Sequence, residues 1–248
     1  MVRGDLGWST HANVTGDNVE RLDRSIFEIL PLTSALGALG PAGLTAYFGL
    51  FDIAKIQPGE TVLISSAAGA VGTIAGQLAR AHGCNVIGLA GSDEKCADLT
   101  ATFQLDAAIN YRTCDNLDEA IRAVSPDGLD VYFDNVGGAI TDAAIRSMKI
   151  RGRIAVCGQT SEYNSKSGRG WTETTSIITR RLKVEGFILF DFQDRFLEAS
   201  QHVSGLLHSG ELVEKPTIIA GIENAATAFV SLFAENSAGR VIIDAGYR

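Results

Sequence analysis

From Gly59 onward the chain alternates short β-branched runs with segments of helical period, a pattern that few architectures accept. Strands buried on both faces read as continuous apolar runs, and strands joined through helices run parallel. The alternation therefore predicts an α/β fold with a doubly wound parallel sheet. Thr61–Ser65 is its first strand. The helix that follows carries Val71, Ile74, Ala75, Leu78 and Ala79 on one side at the 3.6 period and ends at Gly83, in the usual position just past a helix. Asn85–Leu89, Ala107–Asn110, Leu129–Asp134, Arg153–Cys157 and Val184–Leu189 are the further strands. The segments between them are about as long as a helical crossover needs. Six strands in two halves make a complete Rossmann sheet.

The ends stand outside that sheet. Leu6–Ala12 reads as a strand with no hairpin partner nearby, and Ser34–Ala54 as an Ala/Gly/Leu-rich helical stretch. After Gly210 come a strand (Pro216–Ala220), a helix (Glu223–Ala234) and a last strand (Arg240–Asp244). The division expected is 1–57, 58–210 for the dinucleotide-binding domain, and 211–248. Ser165–Gly170 is polar and glycine-rich, as expected of a mobile loop at the mouth of a site.

Composition removes several classes of function. A net charge of −8 offers no basic face to nucleic acid, and no polybasic run addresses anionic lipid. No apolar stretch reaches the roughly 18 residues of a membrane span, and the polar N-terminus has no signal core, so a cytoplasmic protein is expected. Cys84, Cys96, Cys114 and Cys157 are scattered, as are His11, His82, His202 and His208. That spacing fits reduced thiols and no metal site.

Directly after the first strand stands Ser66-Ala67-Ala68-Gly69-Ala70-Val71-Gly72. A dinucleotide loop needs one glycine for the turn, one where backbone approaches pyrophosphate, and one where helix meets strand. Ala67 replaces the first; Gly69 and Gly72 supply the others. The helix N-terminus adds N–H donors and positive potential. An acid about 20 residues further on would bind the ribose of NAD. Leu89-Ala90-Gly91-Ser92 stands there instead, with no carboxylate at the strand end. Ser92 is the expected N-cap of the next helix, and Asp93 and Glu94 are first-turn residues facing water. Lys95 is then placed either for a 2′-phosphate or, in the plainer reading, as a solvated surface lysine. The missing acid favours NADP.

Longer motifs carry a resemblance: Gly43-Leu44-Thr45-Ala46-Tyr47-Phe48-Gly49-Leu50, Ala67–Gly72, Gly91–Lys95, Asn110-Tyr111, Tyr132-Phe133-Asp134-Asn135-Val136-Gly137-Gly138, Gly152–Gly158 and Ser161–Asn164. In these the chain resembles the zinc-independent medium-chain reductases, in particular the leukotriene B4 12-hydroxydehydrogenase and prostaglandin reductase group of alkenal double-bond reductases. The resemblance implies that Ala68, Gly69, Ala70, Val71 and Gly72 hold the pyrophosphate of NADP, Lys95 and Tyr111 the 2′-phosphate, and Asn135 the ribose side. It implies that Cys157, Gly158, Gln159, Thr160, Ser161, Tyr163, Phe187, Ile188, Leu189 and Asn236 flank the nicotinamide. Tyr163 matches the tyrosine that assists at the carbonyl oxygen while hydride reaches the β-carbon of an enone or enal. The partner implied is a small molecule with a conjugated carbonyl, and a homodimer is the assembly to test.

The same resemblance implies a GroES-like catalytic domain ahead of the sheet. Only its last strand, around Gly7–Val14, and its return after about Pro216 are expected in these 248 residues. The expected activity is NADPH-dependent reduction of an activated C=C bond. The alternative is a shortened or repurposed NADP-binding protein without redox activity.

Overall fold

The computed structural model describes residues 2–5, 7–161, 163, 170–233 and 239–246, the side chain of Phe233 apart. Six parallel strands form the central sheet: β3 (Thr61–Ile64), β4 (Asn85–Ala90), β5 (Ala107–Asn110), β6 (Leu129–Asp134), β7 (Met148–Val156) and β8 (Lys183–Gly186). Their order is β5-β4-β3-β6-β7-β8, so the winding reverses between β3 and β6.

Alternate residues of the inner strands feed two apolar cores. Val62, Ile64, Val86, Val131, Phe133 and Ala155 join the core packed by α1 (Pro41–Phe48), α2 (Ala70–Ala81) and α7 (Phe196–Ser209). Leu63, Ile87, Leu89, Tyr132 and Ile154 face the other side, with α4 (Leu117–Val124) and α5 (Gly138–Ser147). This is the period-two consequence of a pleated strand covered on both faces. α3 (Asp93–Ala101) sends Leu99 to the first core, and α6 (Thr174–Arg180) sends Ile177 to the second.

Several boundaries differ from those expected. The Ser34–Ala54 stretch is not one helix: a 3-10 turn over Leu32–Ala35, α1, and a π-helical segment over Gly49–Ala54 succeed one another. Here Pro41 starts a new helix at its first position, where its missing N–H costs nothing. β7 begins five residues earlier than expected, at Met148, across an irregularity in its pairing with β6. β8 is shorter than expected, and Leu189 already opens a 3-10 segment that packs Phe192 flat against Phe48, ring centroids 4.5 Å apart.

The N-terminal expectation fails. Described residues between Gly7 and Val14 form no strand; Gly7 takes φ +66° and Ser9 N–H donates back to its carbonyl. The strand lies earlier, as β1 (Val2–Gly4), and it does have a partner, the antiparallel β2 (Val19–Arg21). Arg3 fastens this pair, donating to the carbonyls of Ala35 and Leu39 at 2.8 Å each. At the other end β9 (Thr217–Ala220) and β10 (Val241–Asp244) pair in parallel, flanking α8 (Ala225–Phe233). Gly239 N–H donates to the Ala68 carbonyl at 2.8 Å, which pins this C-terminal unit to the loop after β3.

Candidate active site

An open parallel sheet binds ligands outside the carboxyl ends of its strands where the winding reverses. Here that crevice lies between the ends of β3 and β6, and Ser65 and Asn135 close its floor. The backbone N–H of Asn135 donates to Ser65 Oγ at 2.9 Å, and its side-chain amide donates to the Ser65 carbonyl at 2.7 Å. Both residues are buried. Asp134, fully buried beside them, accepts from Tyr132, Thr141 and the N–H groups of Val136 and Gly137. It thereby fixes the turn into α5, in which Gly137 and Gly138 both take positive φ.

The loop after β3 solves its packing with small residues. Ser66, at φ +49°, makes the left-handed turn, and Gly69 N–H closes it onto the Ser66 carbonyl at 2.9 Å. A methyl group at Gly72 would overlap the Ser66 carbonyl oxygen and lie 2.7 Å from Ala67 Cα, so α2 can lie this close only with glycine there. Ala67 stands in for the first glycine of the motif because its methyl has room on the β4 side. There a Cβ at Gly88 would come within 2.9 Å of it. No side chain caps α2. Its first-turn N–H groups therefore need partners from outside the helix, the condition under which a helix start takes a phosphate. Gly69, Ala70 and Val71 are half-buried at this end; Ala68 and Gly72 are buried.

The residues expected at the adenosine end lie on β4, α3 and the turn after β5. Ser92 caps α3, its Oγ accepting from Lys95 N–H at 3.3 Å, and Asp93 and Glu94 face outward as expected. Asp93 accepts from Asn110 at 2.6 Å. Lys95 is half-buried. That burial first, and the neighbouring Arg112 charge second, hold its ammonium below the usual lysine range, against an opposing pull from Glu94. A Cβ placed on Gly91 would lie 3.1 Å from Tyr111 Oη and 3.2 Å from Arg112 Nε. Gly91 thus leaves a small cradle lined by the Tyr111 hydroxyl and Arg112 Nε, donors that suit a phosphate monoester. Arg112 was not expected from sequence; its position directly after Tyr111 at a strand end was the available signal.

The segment after β7, expected at the nicotinamide, folds back over β6. Cys157 and Gly158 N–H donate to the Asp134 carbonyl, Thr160 N–H and Oγ1 to that of Asn135, and Ser161 N–H and Oγ to that of Val136. Burial, then Asp134, pushes the Cys157 thiol up to about 12, so it stays protonated and is no nucleophile. Tyr163 is 70% exposed, and its hydroxyl accepts from Gln159 N–H at 3.3 Å. It sits over Gly158, 3.2 Å from where a side chain there would begin. An oxygen that accepts from backbone keeps its own proton for another acceptor. Phe187 is turned away: its ring lies in the first core, 2.7 Å from where a Cβ on Gly49 would sit. Ile188 is exposed and Leu189 packs on that core. Asn236, Glu162, Asn164 and residues 165–169 of the polar loop lie outside the described residues.

Among the described residues no group of three or more His, Cys, Asp or Glu is placed to hold a metal ion, and no helix is long and apolar enough to cross a membrane. A six-stranded doubly wound sheet, an uncapped helix start at its crevice and a basic cradle beside β4 are the features of a dinucleotide-binding domain. Comparison with known proteins specifies it. The zinc-binding dehydrogenase family matches residues 70–205. Prostaglandin reductase 1 of Bos taurus is 42% identical over 247 residues, covering 99% of this chain and 75% of its own length. The NADP(+)-dependent 2-alkenal reductase of Nicotiana tabacum is 37% identical, over 98% of this chain and 70% of its own. The crystal structure of CurA from Vibrio vulnificus in complex with NADPH superposes with a TM-score of 0.82 at 32% identity, covering 89% of this chain and 67% of that one. The chain belongs to the zinc-independent medium-chain dehydrogenase/reductase family, in the group of NADP-dependent prostaglandin and alkenal reductases.

Proposed function

We propose that the chain reduces the activated C=C bond of small enones or enals, using NADPH, with Tyr163 as the group that stabilises the developing enolate. The observation that carries this reading is the geometry of Tyr163: an exposed hydroxyl, oriented by Gln159 N–H, on the segment that also binds the ends of β6. When bound, NADPH supplies the hydride. The chain's own part is to hold and to polarise. Ala68–Gly72 and the start of α2 are the pyrophosphate seat, and the cradle over Gly91 is the 2′-phosphate seat. The loop from Cys157 to Ser161, with Ile188, is the wall on the nicotinamide side, and Asn236 is proposed there too. Asn135, positioned by its two bonds to Ser65, is the residue on the ribose side.

As the β-carbon is reduced, negative charge builds on the carbonyl oxygen. A pre-oriented donor there stabilises the transition state more than the ground state. Tyr163→Phe is therefore expected to lower kcat about 10²–10³-fold and leave NADPH affinity unchanged. The test is NADPH oxidation by a simple enone together with NADPH titration of both proteins. Loss of cofactor affinity in Tyr163→Phe, or an unchanged kcat, would remove the tyrosine from this role.

We read residues 58–210 as the dinucleotide-binding domain, with 1–57 and 211–248 as parts of the catalytic one, and the protein as cytoplasmic. Homodimer formation is proposed at β8, one of the two edge strands of the sheet. Ile178, Ile188, Phe190 and Leu197 are exposed on the elements around that edge, and an unpaired edge with apolar neighbours invites a second strand.

A further inference from the structure

We propose that Asp134 is a positioning residue for Tyr163: its buried carboxylate holds the turn after β6, and that turn holds the loop on which the tyrosine stands. The proposal rests on the reading of Tyr163 as the group that stabilises the enolate.

The carboxylate is fully buried, and both of its oxygens are used. Oδ1 accepts from the N–H groups of Val136 and Gly137 and from the Tyr132 hydroxyl, at 2.9 Å each. Oδ2 accepts from Thr141 Oγ1 on α5 at 2.7 Å. Tyr132 and Thr141 are themselves fully buried, so the group is tied to the strand and to the helix that follows the turn. Two successive N–H groups converging on one oxygen leave the turn little freedom, and Gly137 meets the demand at φ +78°.

The outer side of the same turn carries the tyrosine's loop. The Asn135 carbonyl accepts from Thr160 N–H at 3.3 Å and Oγ1 at 3.2 Å, and the Val136 carbonyl from Ser161 N–H at 3.0 Å and Oγ at 2.7 Å. Gln159 lies over Gly137, its Cβ 3.3 Å from where a side chain on that glycine would begin. Gln159 N–H is the group that meets the Tyr163 hydroxyl, at 3.3 Å. Asp134, Gly137, Gln159 and Tyr163 thus form one run of contacts from a buried anchor to an exposed hydroxyl. Tyr163 is 70% exposed, so packing alone does not fix its ring. A donor to a developing charge has to be fixed, since a misplacement of about 1 Å can cost about 10²-fold in rate.

The experiment is fluorine NMR of the full chain labelled with fluorotyrosine, which needs neither cofactor nor turnover. The chain has five tyrosines, and Tyr→Phe changes at Tyr47, Tyr132 and Tyr163 assign the three lines that matter. In Asp134→Asn a neutral amide oxygen replaces the carboxylate, in bonds about half as strong. The lines of Tyr132 and Tyr163 are expected to shift or broaden while that of Tyr47 stays, and kcat with a simple enone to fall about tenfold or more. Thr141→Val removes only the bond to Oδ2, and a smaller movement of the Tyr163 line is expected. A role confined to the core would move Tyr132 alone. An unchanged Tyr163 line in Asp134→Asn overturns the proposal; if that variant does not fold, an unchanged line in Thr141→Val does so. A Tyr163 line that moves while kcat holds upholds the positioning and removes Tyr163 from catalysis instead.

Discussion

The side-chain amide of Asn135 donates to the carbonyl of Ser65 at 2.7 Å while its backbone N–H donates to the hydroxyl of the same serine at 2.9 Å. These two bonds join the ends of β3 and β6 at the point where the sheet reverses its winding, so they set the width of the crevice floor. Asn135→Asp would place a carboxylate oxygen against a carbonyl oxygen in a buried site. An unmatched buried acceptor costs about 1–3 kcal/mol, more when charged. Denaturant unfolding should show at least that loss, and the variant should also bind NADPH more weakly. Undiminished stability would mean that the pin carries no load.

Ala67 and Gly88 form a second dependent pair. A methyl on Gly88 would come within 2.9 Å of Ala67 Cβ and 2.8 Å of Leu99 Cδ1. Overpacking of this kind typically costs about 1–3 kcal/mol. Gly88→Ala is expected to destabilise by that amount. Ala67→Gly in the same chain should return part of it, since the Leu99 contact remains. A double-mutant cycle measures the coupling, and strict additivity of the two changes would contradict the packing described.

The lowered pKa of Lys95 gives a pH signature. Phosphate recognition needs the protonated ammonium, and burial together with Arg112 brings deprotonation to a lower pH than for a free lysine. Affinity for NADPH should therefore decline with rising pH before the ordinary lysine range is reached, while NADH affinity stays flat. Lys95→Arg should abolish the decline, because a guanidinium does not titrate there. Parallel pH profiles for the two cofactors would place Lys95 outside the phosphate site.

Cys157 lies on the segment that folds back over β6, and its thiol is held up to about 12 by burial and by Asp134. A thiol so far above neutral pH is almost wholly protonated. Mass spectrometry after brief iodoacetamide treatment near pH 8 should find Cys157 unmodified in the folded protein and modified after unfolding. Rapid labelling of the native chain would contradict the burial assigned to it.

The sheet and the glycine turn after β3 were legible because their signals are local. A β-branched run, a glycine pair and a helical stripe each occupy a few consecutive residues, and the Ser92 cap with outward Asp93 and Glu94 follows from spacing alone. What escaped was set by tertiary packing. Arg112 comes near the Gly91 turn from the end of β5, 21 residues away in sequence, so no periodicity announces it. The inward turn of Phe187 depends on the space left by Gly49, which lies more than a hundred residues earlier. The first strand was misplaced because Trp8-Ser9-Thr10 has β-forming residues, while Gly7 at positive φ turns the chain out of any ladder. Ala67 in a glycine position is explained only by Gly88 on the neighbouring strand.

The central claim is hydride transfer from NADPH to the β-carbon of a conjugated carbonyl. Incubation with NADPH deuterated at the transferable position and a simple enone, followed by mass and NMR analysis of the product, tests it most directly. The account predicts a saturated ketone carrying one deuterium at the β-carbon, formed faster with NADPH than with NADH. Deuterium at the carbonyl carbon of an allylic alcohol, or no transfer of label with any enone or enal, would contradict it.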